Sequence, residues 1–94
     1  MYARISTWRA RPEDFEALSR EVAPMVAEIQ RQPGYVAGYE VRTSSDTMTI
    51  VSIWQDEARM QEASGKLGDL MRPFIEAGRI ELADVKNGPA EPWS

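Results

Sequence analysis

Apolar residues recur with a period of two in four short segments of this chain and with a helical period in two longer ones. The short segments are residues 2–9, 35–42, 47–54 and 79–86, and the helical ones follow the first and the third of them. A period of two is typical of strands, and a period near about 3.6 is typical of helices with one buried stripe. The order strand, helix, strand, strand, helix, strand leaves few compact arrangements, because both helices need a sheet on which to bury their stripes.

The first helix is predicted to begin at Pro12, a residue that suits a first helical position, and to end before Pro33-Gly34. Pro24 lies within it and predicts a kink, because proline cannot donate a backbone hydrogen bond. Residues spaced by three and four form its apolar stripe: Phe15, Leu18, Val22, Met25 and Ile29.

The second helix is predicted to be capped by Asp56 and ended by a left-handed Gly78. Gly65 and Gly68 each weaken a helix by about 1 kcal/mol relative to alanine, which predicts a break near Ser64. Its apolar stripe consists of Met60, Ala63, Leu67, Leu70 and Phe74.

The order β-α-β-β-α-β predicts an α+β fold of the ferredoxin-like type, with a four-stranded antiparallel sheet. We expect residues 1–87 to form a single domain and residues 88–94 a C-terminal tail. A short internal sequence repeat indicates two equivalent halves, since Ser6-Thr7-Trp8 precedes the first helix and Ser52-Ile53-Trp54 precedes the second. Which face of the first strand meets the helices stays open, because Ser6 and Trp8 lie opposite the apolar Ala3 and Ile5.

The third strand is apolar on both faces, with Ile50 and Trp54 on one side and Val51 and Ile53 on the other. Two helices can cover only one face of the sheet. A second copy of the chain would bury the other face, so the sequence predicts a homodimer packed sheet to sheet.

Histidine and cysteine are absent, and 15 acidic residues outnumber 11 basic ones. These absences argue against a thiolate nucleophile, a Ser-His-Asp triad and a His- or Cys-based metal site. The negative charge argues against nucleic acid as a partner. Neither a signal peptide nor an apolar run of membrane-spanning length is recognisable, so the sequence predicts a cytoplasmic protein without a membrane partner.

Two segments resemble a known family. Pro33-Gly34-Tyr35-Val36-Ala37-Gly38-Tyr39-Glu40-Val41 and Ser52-Ile53-Trp54-Gln55-Asp56-Glu57-Ala58 are similar to segments of the antibiotic biosynthesis monooxygenase (ABM) domain family, in the dimeric α+β barrel superfamily. The resemblance implies a homodimer whose sheets form a barrel, with a pocket between sheet and helices in each subunit. It also implies chemistry without metal, flavin or another cofactor, since some members oxidise polycyclic phenols in this way.

Two branches of that family fit less well. Members that degrade haem carry a histidine, which this chain lacks. Members that oxidise anthrones pair the tryptophan that resembles Trp54 with an asparagine and a tyrosine, where this chain has Ile50 and Met60.

The resemblance places Trp54 at the border of the pocket, although it could instead plug the end of the barrel. No catalytic residue is assigned. Arg72 and Arg4 could each hold an oxyanion, or could pair with acids such as Glu40. The predicted ligand pocket consists of Trp54, Ser52, Tyr39, Met60, Arg72 and Phe74. For Tyr39, Met60 and Phe74 the sequence favours a packing role over contact with a ligand.

The leading hypothesis is a small-molecule enzyme of the ABM type, a cofactor-independent monooxygenase that acts on an aromatic or quinone-like compound. The alternative is a non-catalytic protein that binds a small apolar ligand in the same pocket. An isomerase or decarboxylase activity is a third hypothesis, which rests on analogy of fold alone.

Overall fold

The computed structural model describes residues 1–93 and confirms the predicted order of elements. The strands are β1 (Tyr2–Arg9), β2 (Tyr35–Arg42), β3 (Thr47–Trp54) and β4 (Glu81–Pro89), and the helices are α1 (Phe15–Gln30) and α2 (Glu57–Glu76). Neighbouring strands are antiparallel, in the spatial order β2-β3-β1-β4. The fold is therefore α+β and ferredoxin-like.

The helices cover the sheet face that carries Ser6 and Trp8. These two side chains are buried, at 0% and 6% exposure, whereas Ile5 on the opposite face is 40% exposed. The polar Ser6 can be buried because its hydroxyl accepts a hydrogen bond from the indole of Trp8. The question that the sequence left open is thereby answered in favour of the face with the larger side chain.

α1 begins three residues later than predicted, because Pro12–Asp14 form a 3₁₀ turn before it. Phe15 and Leu18 then anchor the helix on the sheet, and both are buried. Pro24 lies inside the helix at an exposed position, and the helix continues past it to Gln30.

α2 is continuous from Glu57 to Glu76, so the predicted break near Ser64 is wrong. Gly65 and Gly68 are exposed, while Ala63 and Met71 on the inner side are buried. Burial of that apolar side offsets the modest cost of two glycines. The predicted cap is confirmed, since the Asp56 carboxylate accepts a hydrogen bond of 2.8 Å from the backbone N–H of Arg59.

β4 is displaced from its predicted limits, since it begins at Glu81 and extends to Pro89. Gly78 has the expected positive φ of 71°, and the backbone N–H of Arg79 still bonds to the α2 carbonyl of Phe74. The far end is extended because β1 begins at Tyr2, which pairs with Pro89. Gly88 and Pro89, predicted as tail, therefore lie in the sheet, whereas Trp93 beyond them is fully exposed.

The face of the sheet opposite the helices carries exposed apolar side chains. Ile5, Tyr39 and Val41 are 40%, 62% and 49% exposed, and pairing aligns Ile5 and Tyr39 with Val51 of β3 between them. This open sheet face matches the prediction of a sheet that is apolar on both sides. Within residues 1–93, neither helix combines the length and the hydropathy needed to cross a bilayer.

Candidate functional site

Trp54 is the last residue of β3 and is buried, with 2% of its surface exposed. Its indole Nε1 donates a hydrogen bond of 3.0 Å to the Ser52 hydroxyl. Tyr35 packs edge-on against the ring, with centroids 5.6 Å apart, while Met60 and Ala63 of α2 complete the cluster. The orientation of the indole ring is thus set by packing and by one internal hydrogen bond.

Trp8 repeats this arrangement on β1, where its Nε1 donates a hydrogen bond of 2.9 Å to Ser6. β1 and β3 are antiparallel, and Tyr2 pairs with Trp54 while Trp8 pairs with Met48. The two indoles are therefore about 20 Å apart along the strand direction, at opposite ends of the covered face. The two Ser-x-Trp motifs of the sequence therefore adopt the same arrangement in the structure.

Two adjoining cavities lie between the sheet and the helices. The Trp8 chamber, of about 340 Å³, is bordered by Trp8, Phe15, Leu18, Met48 and Met71 among others. The Trp54 chamber, of about 210 Å³, is bordered by Arg4, Tyr35, Ser52, Trp54, Ala63 and Ser64 among others. Both are lined by Val26, Gln30, Glu40, Ile50 and Leu67, so the two chambers meet at these residues.

Small side chains create this space. Ala23 and Ala27 of α1 line the Trp8 chamber, and Gly38 of β2 lines the Trp54 chamber. A Cβ atom at Gly38 would lie only 3.0 Å from the Tyr35 hydroxyl oxygen. The layer between helices and sheet is therefore apolar but incompletely filled, as in small-molecule sites and unlike a close-packed core.

Arg4 places a positive charge in the wall of the Trp54 chamber. It is half-buried on β1, between Ser52 of β3 and Asn87 of β4. Among residues 1–93 its guanidinium has no carboxylate within 4.0 Å and no side-chain or backbone hydrogen-bond acceptor. Burial lowers the pKa of Arg4, yet a guanidinium stays protonated in proteins, so an uncompensated positive charge faces an apolar space.

Glu40 lies where the two chambers meet. It pairs with Ile50 across β2 and β3, and within residues 1–93 it is the only carboxylate that lines either chamber. None of the ion pairs of the described residues includes it. A free carboxylate beside an apolar cavity can accept a proton from a bound ligand.

The structure brings only part of the predicted site together. Trp54, Ser52 and Tyr39 line the Trp54 chamber, although Tyr39 pairs with Val51 and is largely exposed on the open sheet face. Met60 packs beneath the ring of Trp54 at 3% exposure and is absent from the lining.

Arg72 and Phe74 lie farther along α2 and outside the lining of both chambers. The Arg72 guanidinium is exposed and lies 2.7 Å from the Asp69 carboxylate. Phe74 is half-buried beneath the guanidinium of Arg79, which lies 5.3 Å from its ring centroid. Arg4, Arg9 and Glu40 are the charged residues that line the cavities instead, Arg9 at the Trp8 chamber. The sequence indicated Arg4 as a possible oxyanion holder and Glu40 only as an ion-pair partner, and it did not single out Arg9.

Residues 1–66 match the model of the antibiotic biosynthesis monooxygenase family. The chain belongs to this family. The matched segment of this family member runs from β1 into α2 and contains both Ser-x-Trp motifs as well as Arg4 and Glu40.

Solved structures of similar fold include the cofactor-independent oxygenase SnoaB of Streptomyces nogalater, at 18% identity and a TM-score of 0.72, covering 98% of this chain and 94% of SnoaB. HapK of Hahella chejuensis superposes with a TM-score of 0.78 at 16% identity, covering 100% and 96% of the two chains. NE2512, a Nitrosomonas europaea protein of unknown function, superposes with a TM-score of 0.71 at 16% identity, covering 99% of this chain and 95% of NE2512. No curated protein matches this ABM family member by sequence. These likenesses establish the fold.

Proposed function

We propose that this ABM family member is a small-molecule enzyme that oxidises an aromatic or quinone-like compound with O2, without a metal or flavin. The observation that carries the proposal is the pair of adjoining chambers, whose apolar lining is interrupted by the unpaired Arg4 and by Glu40. Such a site binds a flat apolar molecule and offers one proton acceptor, Glu40, together with two cations, Arg4 and Arg9. The name of SnoaB, a cofactor-independent oxygenase of the same fold, supports this choice of chemistry.

The chemistry suits a substrate with an activated methylene group beside a carbonyl or a phenol ring. Glu40 accepts a proton from the methylene carbon, and the negative charge is delocalised onto the substrate oxygen. The carbanion reduces O2, and the new C–O bond gives a peroxide that takes the proton back from Glu40. Loss of water from the peroxide leaves a carbonyl, so that one oxygen atom enters the product and the other leaves as water.

The active form in this proposal is a homodimer that buries the open sheet face. Ile5, Tyr39 and Val41 expose apolar surface there, without cover from either helix. A contiguous apolar surface of this kind is unfavourable in water and is usually an interface. Pairing through the sheets would leave both chambers of each subunit between its own sheet and helices, on the side away from the interface.

A non-catalytic ligand-binding protein is the alternative function, and one specific observation favours it. The Trp54 indole donates its only N–H to Ser52, so the ring can pack against a ligand but has no hydrogen bond left to donate to an oxyanion. Ile50 and Met60, in the positions where the resembling anthrone oxygenases have asparagine and tyrosine, add no donor.

Oxygen uptake separates the two functions. Anthrone and 1,8-dihydroxyanthrone, which both carry an activated methylene group, are incubated in air with the wild type, Glu40→Gln and Trp54→Ala, and oxygen uptake above the rate without protein is measured. We expect uptake that both substitutions abolish, while Trp93→Ala, at an exposed tryptophan outside the chambers, leaves it unchanged. A rise in Tm with these compounds and no uptake by the wild type would instead support the binding protein.

A further inference from the structure

We propose that Arg4 is the binding site for one anionic oxygen of the ligand, and that the apolar body of the ligand extends past Glu40 into the Trp8 chamber. The ligand class is thus an elongated aromatic compound with an acidic oxygen group at one end, either a carboxylate or a phenolate. The inference depends on the proposed function only for the location of the ligand, because it concerns binding and requires no turnover.

The first argument is the cost of leaving Arg4 as it is. A half-buried guanidinium without a carboxylate partner loses hydration and gains no ion pair in return. Other arginines of the described residues show the ordinary solution, such as Arg72 beside Asp69 and Arg79 beside Glu21. A charge that is unfavourable for folding and faces a cavity is typical of a binding group.

The second argument is the set of neighbours around Arg4. Ser52 is the residue of the neighbouring strand β3 that pairs with Arg4. The Ser52 hydroxyl accepts a hydrogen bond from Trp54 and keeps its own proton free to donate. Arg4 and Ser52 can therefore both donate to the same ligand oxygen. Trp54 and Tyr35 form the adjacent aromatic wall, which suits a ring bonded to that oxygen.

The third argument is the direction in which the ligand can extend. The Trp54 chamber, at about 210 Å³, is the smaller one, and it adjoins the Trp8 chamber of about 340 Å³ along Val26, Ile50 and Leu67. A multi-ring body that starts at Arg4 therefore finds further apolar lining only beyond Glu40. This placement brings the carbon framework of the ligand, and not its acidic oxygen, next to the Glu40 carboxylate.

The test compares an anionic probe with a neutral one of the same shape. Binding of 2-naphthoate and of 2-naphthalenemethanol is measured by tryptophan fluorescence for the wild type, Arg4→Met and Arg4→Lys. We expect Arg4→Met to lower the affinity for 2-naphthoate by about tenfold to a hundredfold, and the affinity for 2-naphthalenemethanol by less than about twofold. Arg4→Lys, which keeps the charge, should restore part of the loss.

Arg20→Met is the matched control, because Arg20 is exposed on α1, outside both chambers, and pairs with Glu16. It should leave the affinity for both probes unchanged. Circular dichroism and Tm confirm that each variant is folded. Equal weakening of both probes by Arg4→Met, or unchanged binding of 2-naphthoate, would overturn the proposal.

A second arm distinguishes a phenolate from a carboxylate. The visible band of the 4-nitrophenolate anion is recorded at constant pH with the wild type and with Arg4→Met. Recognition of phenolates predicts that the wild type increases the anion band and that Arg4→Met does not. Binding of 2-naphthoate without this increase assigns the site to carboxylates.

A third arm tests the extension into the Trp8 chamber. Ala27→Phe fills that chamber from α1, while Ala58→Phe adds the same ring on the exposed side of α2. We expect Ala27→Phe to weaken 2-anthroate by about tenfold and to leave benzoate within about twofold. Equal effects on the two acids would contradict the extension. The two proposals fail separately. Affinity for 2-naphthoate that does not depend on Arg4 would refute the Arg4 site but not the proposed function, whereas Arg4-dependent binding by a wild type that takes up no oxygen would refute the proposed function but not the Arg4 site.

Discussion

The indole nitrogen of Trp54 donates a hydrogen bond of 3.0 Å to the hydroxyl of Ser52, two residues earlier on the same strand. Residues two apart on a strand share a face, so the hydroxyl lies beside the edge of the indole. Trp8 and Ser6 repeat the relationship at 2.9 Å. Both tryptophans therefore contribute ring faces to the chambers, and their N–H groups fix the rings in place.

Removal of either serine hydroxyl should destabilise the protein. Ser6→Ala leaves the buried indole N–H of Trp8 without an acceptor, which lowers the free energy of unfolding by about 1–3 kcal/mol. Ser52→Ala should cost less, because Ser52 is half-buried and lies beside a chamber that can admit water. Urea denaturation followed by fluorescence measures both values.

Ser45→Ala is the control for these two variants, since Ser45 is exposed in the loop between β2 and β3. It should leave the urea midpoint within the error of the wild type. A Ser6→Ala midpoint equal to that of Ser45→Ala would show that the Ser6–Trp8 hydrogen bond contributes nothing measurable to stability.

The element order could be predicted because it depends on periodicity, which local residue types encode directly. The covered face of β1 could not, because residue type favours Ile5 as the inner residue and Ser6 as the outer one. Burial of the large Trp8 side chain and the hydrogen bond that it donates to Ser6 outweigh that preference. The end of β4 was missed for a related reason, since Gly88 and Pro89 are turn-forming types that join the sheet by pairing with β1.

The candidate site was predicted where a local motif encodes it. Trp54 and Ser52 are two residues apart, so their shared face follows from sequence alone. Arg4 and Glu40 are 36 residues apart in number and meet at one cavity only through the register of β1, β3 and β2. Strand register is a tertiary property, and a charged residue in a strand carries no local sign that its side chain faces inward.

Gly34 is expected to be irreplaceable, in contrast to Gly65. Gly34 has a φ of +86°, and a Cβ atom there would lie 2.6 Å from the Arg59 Cγ atom, whereas nothing lies within 4 Å of a Cβ at Gly65. Gly34→Ala should lower the free energy of unfolding by roughly 1–2 kcal/mol or more. Gly65→Ala should raise it by up to about 1 kcal/mol. Shifts of the urea midpoint in opposite directions would confirm the prediction. A Gly34→Ala midpoint equal to that of the wild type would contradict it.

The open sheet face is expected to form the homodimer interface. Ile5 lies on this face and Ile75 on α2, and both are 40% exposed, so Ile5→Lys and Ile75→Lys are matched substitutions. Sedimentation velocity at micromolar concentration should show a dimer for the wild type and for Ile75→Lys. It should show a monomer for Ile5→Lys, because burying an unpaired ammonium is costly. A wild-type monomer at this concentration would remove the proposed interface.

The ion pair between Glu21 and Arg79 should make stability depend on acid pH. It joins α1 to the segment before β4, and the hydrogen bond from Arg79 lowers the pKa of Glu21 below its usual 4.5. A lowered folded-state pKa means that the stabilisation is fully present above 4.5 and is lost as the pH falls through the lowered value. The Tm of the wild type should therefore exceed that of Glu21→Gln at about pH 7, and the difference should shrink as the pH falls below 4.5 and through the lowered pKa of Glu21. Glu16→Gln, which removes a pair within α1 only, should show a much smaller difference. A difference for Glu21→Gln that persisted unchanged into acid would mean that the side chain stabilises the fold by packing and not by its charge.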